Sequence, residues 1–255
     1  MSQFQRVLFE QVIVQQVRLY ACLARLREQT DAEALHDLRI TLRRLRSLLR
    51  PLRREPLCAA LERAAAALGQ ASGPLRDLQV LALELESRGL PGPARARRGQ
   101  LATGLPGLLD GLALRRLAIL LDDWPEDCRQ ARQANEWRAR GRTVARYMER
   151  QADALAQALR DPAHDRHRLR LLIKRLRYCA EAWPHQAGFA EEALRALRTA
   201  QGALGDWHDH WQWLQRLQVE ADLRPCAAAW SESLQLAEQA ADQALQELLA
   251  HFALR

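Results

Sequence analysis

The amino-acid sequence predicts an all-α protein, on three observations. Gly and Pro are few, 12 and 10 of 255 residues, and many of them fall in one stretch instead of punctuating the chain at regular intervals. β-branched residues are scarce, while Ala, Leu, Arg, Gln and Glu, all good helix formers, dominate. In the long stretches they build, apolar residues recur with the 3.6-residue period of a helix.

Taken in order, the periodicity predicts helices over about 3–28, 32–52, 56–71, 75–88, 107–121, 126–159, 164–183, 188–204, 208–222 and 226–252. The first carries Arg6 and Glu10 and no long apolar run, so it reads neither as a signal peptide nor as a membrane span. Thr30 and Asp31 supply capping chemistry ahead of the second, and Pro51 ends or kinks it. The stretch Gly89 to Gly107 holds Pro91, Gly92, Pro93, Gly99, Gly104 and Pro106, and reads as a surface loop with Arg95, Arg97 and Arg98 in solvent. A boundary is expected near Trp124-Pro125, dividing a single domain of 1–255 into halves 1–124 and 125–255. Asp161-Pro162 offers a cap for 164–183, and Pro184 ends that helix.

The predicted helices 32–52 and 164–183 share a motif. The first contains His36-Asp37-Leu38-Arg39-Ile40-Thr41-Leu42-Arg43-Arg44-Leu45-Arg46, and the second His167-Arg168-Leu169-Arg170-Leu171-Leu172-Ile173-Lys174-Arg175-Leu176-Arg177. The copies stand roughly 131 residues apart and read as an internal repeat. A repeat kept only for packing needs its apolar positions alone; this one keeps its cations too. Positions i, i+3, i+7 and i+10 share a helix face, which aligns His36, Arg39, Arg43 and Arg46, and likewise His167, Arg170, Lys174 and Arg177. Arg50 extends the first stripe. Arg44 and Arg175 lie to the side of each stripe, placed to grip a next phosphate or to face solvent. Leu38, Leu42, Leu45 and Leu49 fall on another face and can pack.

Like charges a turn apart repel, so a ribbon of them calls for a counterion. The formal net charge is +7, which points to an acidic partner such as a nucleic acid, an anionic surface or another polyanion. Of 38 basic residues only Lys174 is lysine; the arginine fork suits phosphate oxygens in pairs, although GC-rich coding gives the same excess. A second element also recurs: Leu68-Gly69 followed by Gly73-Pro74-Leu75-Arg76-Asp77, and Leu204-Gly205-Asp206-Trp207-His208-Asp209.

At these residues the chain resembles the CHAD family, and the likeness covers most of its length. The resemblance implies two four-helix bundles related by a pseudo-twofold axis, with a basic groove between them that binds inorganic polyphosphate. It implies a polyphosphate site of His36, Arg39, Arg43, Arg44, Arg46, Arg50, Arg76, His167, Arg170, Lys174, Arg175, Arg177 and His208. Arg76 standing where the second copy has His208 makes the two half-sites unequal. The histidines are expected to donate hydrogen bonds to phosphate oxygens and to gain charge beside the anion, so that affinity weakens from about pH 6 to 8. Asp77 and Asp209 are expected to cap a helix or orient an arginine rather than to touch phosphate.

No phosphate-cradling glycine loop and no Gly-x-Ser-x-Gly occurs, and Glu84-Leu85-Glu86-Ser87-Arg88 lacks the lysine of a triphosphatase strand, so the chain reads as a binding module and not an enzyme, with no cofactor. Two rivals stay open: a nucleic-acid-binding helical protein and a metal-dependent phosphohydrolase. For a metal, His164 with His167, or His208 with His210, are the candidate ligands, in surroundings whose arginines repel a cation; no metal is expected. Trp207 and Trp211, four residues apart, are expected in the core. The five cysteines are widely spaced and read as helix-core thiols. Expected partners are inorganic polyphosphate and other polyanions, with no membrane, in the cytoplasm and at polyphosphate granules.

Overall fold

Ser2 opens the first helix with a reciprocal cap: its hydroxyl accepts from the Gln5 N–H at 3.3 Å, and the Gln5 side chain accepts from the Ser2 N–H at 2.9 Å. The computed structural model describes residues 2–161 and 163–252, and every regular element among them is helical. In chain order these are α1 (Gln3–Arg27), α2 (Ala34–Leu49) with a 3-10 turn at Arg50–Leu52, α3 (Pro56–Ala71), α4 (Gly73–Ser87), α5 (Pro91–Leu109), α6 (Leu112–Asp122), α7 (Trp124–Gln133), α8 (Gly141–Arg160), α9 (Arg166–Ala182), α10 (Pro184–Ala187), α11 (Glu191–Arg216), a 3-10 turn at Ala221–Cys226, and α12 (Ala227–Phe252).

The chain forms two compact units, Met1–Val144 and Ala145–Arg255. In the first, α2 packs against α1 and α3, α3 also against α6, and α4 against α5. Leu38, Leu42, Leu45 and Leu49 of α2 are all buried, each stabilising by about 1.5–3 kcal/mol relative to exposure. Burying that face turns the arginines of the opposite face outward. In the second unit α11 packs along α12 and against α9, and Leu169, Leu172, Ile173 and Leu176 anchor α9 in the same way. The five cysteines are buried, and burial pushes the Cys58 thiol up to about 12 and raises those of Cys22 and Cys128.

The fold corrects the sequence reading in several places. The stretch read as a loop is α5. Pro91 and Pro93 sit in its first turn, where a missing N–H costs no helical hydrogen bond. Gly104 is needed for packing, since a Cβ there would lie 2.6 Å from Leu75 Cδ2. Arg97 is 4% exposed on this helix, not solvated.

The single helix expected over 126–159 is two. Asn135 adopts φ 56°, and the Glu136 N–H donates to Ala131 O at 2.8 Å while the Asn135 N–H donates to Arg132 O at 3.0 Å, a left-handed stop to α7. Conversely, the break expected between 204 and 208 is absent, and α11 runs through Gly202 and Gly205. A mid-helix glycine costs only about 1 kcal/mol, which the packing of α11 on two neighbours outweighs. Asp165, not Asp161, caps α9 by accepting from the His167 N–H at 2.8 Å; Pro162 lies outside the described residues. No side chain caps α2; Asp31 instead accepts from the Glu33 N–H at 2.9 Å and pairs with Arg25. Finally, α1 is long and apolar enough to cross a membrane by length and composition, contrary to the sequence reading. Here Leu8, Val12, Leu19, Leu23 and Leu26 are buried, and α1 packs on α2.

Candidate functional site

In the first unit, burying the leucine face of α2 brings His36, Arg39, Arg43 and Arg76 into one electrostatic cluster. Half-buried His36 is pushed below its ordinary pKa by burial first and then by Arg76, with Arg43 adding to it against Glu33 and Asp37. Arg39 is held more tightly than a stripe residue requires. Its Nη1 donates to Gly69 O at 2.9 Å and to Ser72 Oγ at 3.0 Å, so it closes the turn between α3 and α4. Burial works against its charge, Asp77 supports it, and Arg76 and Arg43 oppose it. Asp77 therefore acts on an arginine, as expected from the sequence.

The far end of the stripe behaves differently. Arg46 Nε and Arg50 Nη2 both donate to Glu62 Oε1 of α3, at 3.1 and 3.2 Å. Both predicted cations thus already share a carboxylate that is 14% exposed. Arg76 Nη1 donates to Gln79 Oε1 at 2.7 Å, and Arg44 is exposed. Sequence reasoning missed Glu62, Ser72 and Gln79, because nothing along the chain links them to α2; only packing does.

In the second unit the site is aromatic as well as cationic. His167 and His208 meet in a T-shape with ring centroids 4.8 Å apart. Trp207 and Trp211 stand 6.4 and 6.3 Å from His167, and Trp211 lies nearly parallel to His208 at 6.2 Å. His208 is 9% exposed, and its Nδ1 is buried without a hydrogen-bond partner. Burial, then Arg170, His167 and Lys174, push His208 down to about 4. Arg170 and Lys174 are thus brought to the same imidazole. Arg177 turns aside: its Nε donates to Gln201 Oε1 at 2.7 Å, Glu181 pairs with it, and its guanidinium lies 4.3 Å over Tyr178. Arg175 is exposed.

Trp207 is buried, but Trp211 is 39% exposed, which corrects the expectation that both lie in the core. Arg166, unmarked by the motif, places its guanidinium 6.0 Å from the Trp207 ring and is anchored by both oxygens of Asp242. One histidine of each pair considered for metal is engaged elsewhere. His164 Nδ1 is 3.1 Å from Asp161 O, and His210 Nδ1 is 2.8 Å from Asp206 O with its ring against Trp213. Among the described residues no three His, Cys, Asp or Glu side chains gather as a metal set.

Chemically, each unit concentrates permanent positive charge around an imidazole kept neutral by burial and by that charge. Such a cluster accepts a polyvalent anion, and its imidazole can accept a proton as the anion arrives.

Comparison with known proteins agrees with this fold. A family model described as CHAD domain matches residues 15–218. Among solved structures the chain is similar to the CHAD domain from the plant Ricinus communis, with a TM-score of 0.72 and 24% identity over 100% of this chain and 93% of that one. It is also similar to PptA from Streptomyces chartreusis, with a TM-score of 0.59 and 17% identity over 94% of this chain and 98% of that one. No curated protein matches the sequence.

Proposed function

The chain belongs to the CHAD family, and on that premise we propose that it binds inorganic polyphosphate through the cationic faces of α2 and α9. One observation carries the reading: in each unit several cations converge on one half-buried or buried histidine and depress its charge, at His36 by Arg76 and Arg43, and at His208 by Arg170 and Lys174. A linear polyanion relieves that repulsion at successive phosphates. Arg43, Arg170 and Lys174 supply charge at the cluster centres, while Arg39, Arg46, Arg50 and Arg177 divide their hydrogen bonds between ligand and protein. Arg44 and Arg175 reach phosphates beyond the stripe. The chain acts as a binding module, at polyphosphate in the cytoplasm, and its two basic helices are copies of one ancestral half.

The test is a titration with long-chain polyphosphate, a short RNA and orthophosphate at several salt concentrations. Each neutralised phosphate releases counterions, so by analogy with single strands the log–log slope should be about −0.7 per contact, reaching several units in all. A flat salt response would remove the electrostatic reading. Equal competition by RNA would favour a nucleic-acid binder, and phosphate release on adding a divalent metal would favour a hydrolase.

A further inference from the structure

The aromatic half of the second site has no use in binding a bare phosphate chain. Phosphate offers no ring to stack and no apolar surface to cover, yet α11 sets an indole at the edge of the cationic cluster with 39% of its surface in solvent. Trp211 is held by its neighbours: it lies nearly parallel to His208 at 6.2 Å, makes an angled contact with His167 at 6.3 Å, and is close to parallel with Trp207 at 6.4 Å. A flat, oriented and partly open ring of this kind is a stacking platform. It stands one ring away from a histidine on which Arg170 and Lys174 act. That histidine also keeps a buried Nδ1 with no hydrogen-bond partner, a second and independent sign that the cluster is incomplete without a ligand. In the first unit His36 has Arg76 beside it, and no ring contact joins His36 among the described residues. The platform therefore belongs to one unit only.

Resting on the reading of α9 as a phosphate-binding helix, we propose that the second unit binds nucleoside polyphosphates, with the base stacked on Trp211 and the phosphates on Arg170 and Lys174. A single open indole beside several cations fits one base carrying several phosphates. A nucleic-acid strand, which needs a ring for each successive base, fits it poorly.

The experiment compares adenosine triphosphate with inorganic tripolyphosphate on the full chain. Stacking on one aromatic ring corresponds to about ten-fold in affinity. Trp211→Leu keeps an apolar cover over His208 and removes the flat face; it should raise the dissociation constant for adenosine triphosphate about ten-fold and leave that for tripolyphosphate unchanged. Trp211→Phe, which keeps a ring, should restore most of the difference. Tryptophan fluorescence should be quenched by the nucleotide alone, and that quenching should disappear in Trp211→Leu. An equal change for both probes, or none for the nucleotide, would overturn the inference. Tripolyphosphate binding without any nucleotide binding would sink the inference and leave the phosphate reading standing; binding of neither probe would sink both.

Discussion

His167 and His208 meet edge to face at 4.8 Å, and the second of them is almost wholly buried beside two permanent cations. The pair joins the N-terminal turn of α9 to the middle of α11, so the orientation of the basic helix and the charge state of one imidazole are physically linked.

That link moves the pH dependence expected from sequence. The free-state pKa of His208, about 4, lies below the usual 6.5. A bound polyanion raises it, so binding takes up a proton wherever the pH lies between the free and bound values. Affinity should therefore strengthen as the pH falls below the bound-state pKa toward about 4, the window lying lower than one set by unperturbed histidines. In the absence of ligand the sign is opposite for stability. The unfolded chain protonates first, so the second unit should keep its full stability above about 6.5 and lose it as the pH falls through about 4. Calorimetric titrations in buffers of different ionisation enthalpy would count the protons; His208→Gln should lower the uptake and leave the share of His36, and unchanged uptake in that variant would refute the assignment.

Glu62→Gln should tighten polyanion binding. The carboxylate now shared by Arg46 and Arg50 competes with any anion for their donors. Partly buried charge-assisted hydrogen bonds of this kind are worth about 1.5–3 kcal/mol, and solvent screening reduces that at these half-exposed arginines, so a several-fold gain in affinity is expected with some loss of thermal stability. A weaker complex would show that the carboxylate positions the arginines for the ligand.

Arg39→Ala should cost stability in the first unit even without ligand. It removes the donor that joins Gly69 O and Ser72 Oγ and leaves the turn only the 3.2 Å bond from Ser72 Oγ to Gly69 O, a destabilisation of about 1–3 kcal/mol. Denaturant melts should show the shift. A variant that binds polyphosphate less well but melts like the wild type would show that the tether contributes little to the fold.

Arg43→Glu combined with Lys174→Glu should abolish binding while leaving helicity intact. Both lie mid-stripe and both are only partly buried. Removing a charged hydrogen bond to the ligand costs about 1.5–3 kcal/mol at each position. Polyphosphate affinity read alongside a circular dichroism spectrum checks this; normal binding by the folded double variant would reduce the stripes to solvated surface.

The sequence is most legible where one residue face determines one outcome. The leucines of α2 and Leu169, Leu172 and Leu176 of α9 are buried and the cations lie on the other side, as the 3.6-residue period requires. The all-helical class follows from the same period. Legibility fails where a residue's usual preference meets an unusual context. Pro91, Pro93, Gly99 and Gly104 signal a loop, but the two prolines begin α5 and Gly104 makes room for Leu75. Asn135 looks ordinary inside a long helical pattern and in fact ends α7. The cationic positions can be found along the chain, whereas their partners cannot: Glu62, Ser72 and Gln201 reach the arginines only through helix packing. Periodicity likewise places Trp211 on a packing face without indicating that the face ends before the ring does.

The five buried thiols have an experimental consequence. A thiol walled off from solvent does not react, so in the folded state a modifying reagent meets almost no nucleophile. Cys22, Cys58 and Cys128 lie in the first unit and Cys179 and Cys226 in the second. Every label that does attach therefore marks an opening event and records where it happened. Pulse labelling followed by peptide mass mapping would thus read the breathing of each unit separately, in the native sequence, and a ligand that quiets only one unit would reveal which of the two it holds.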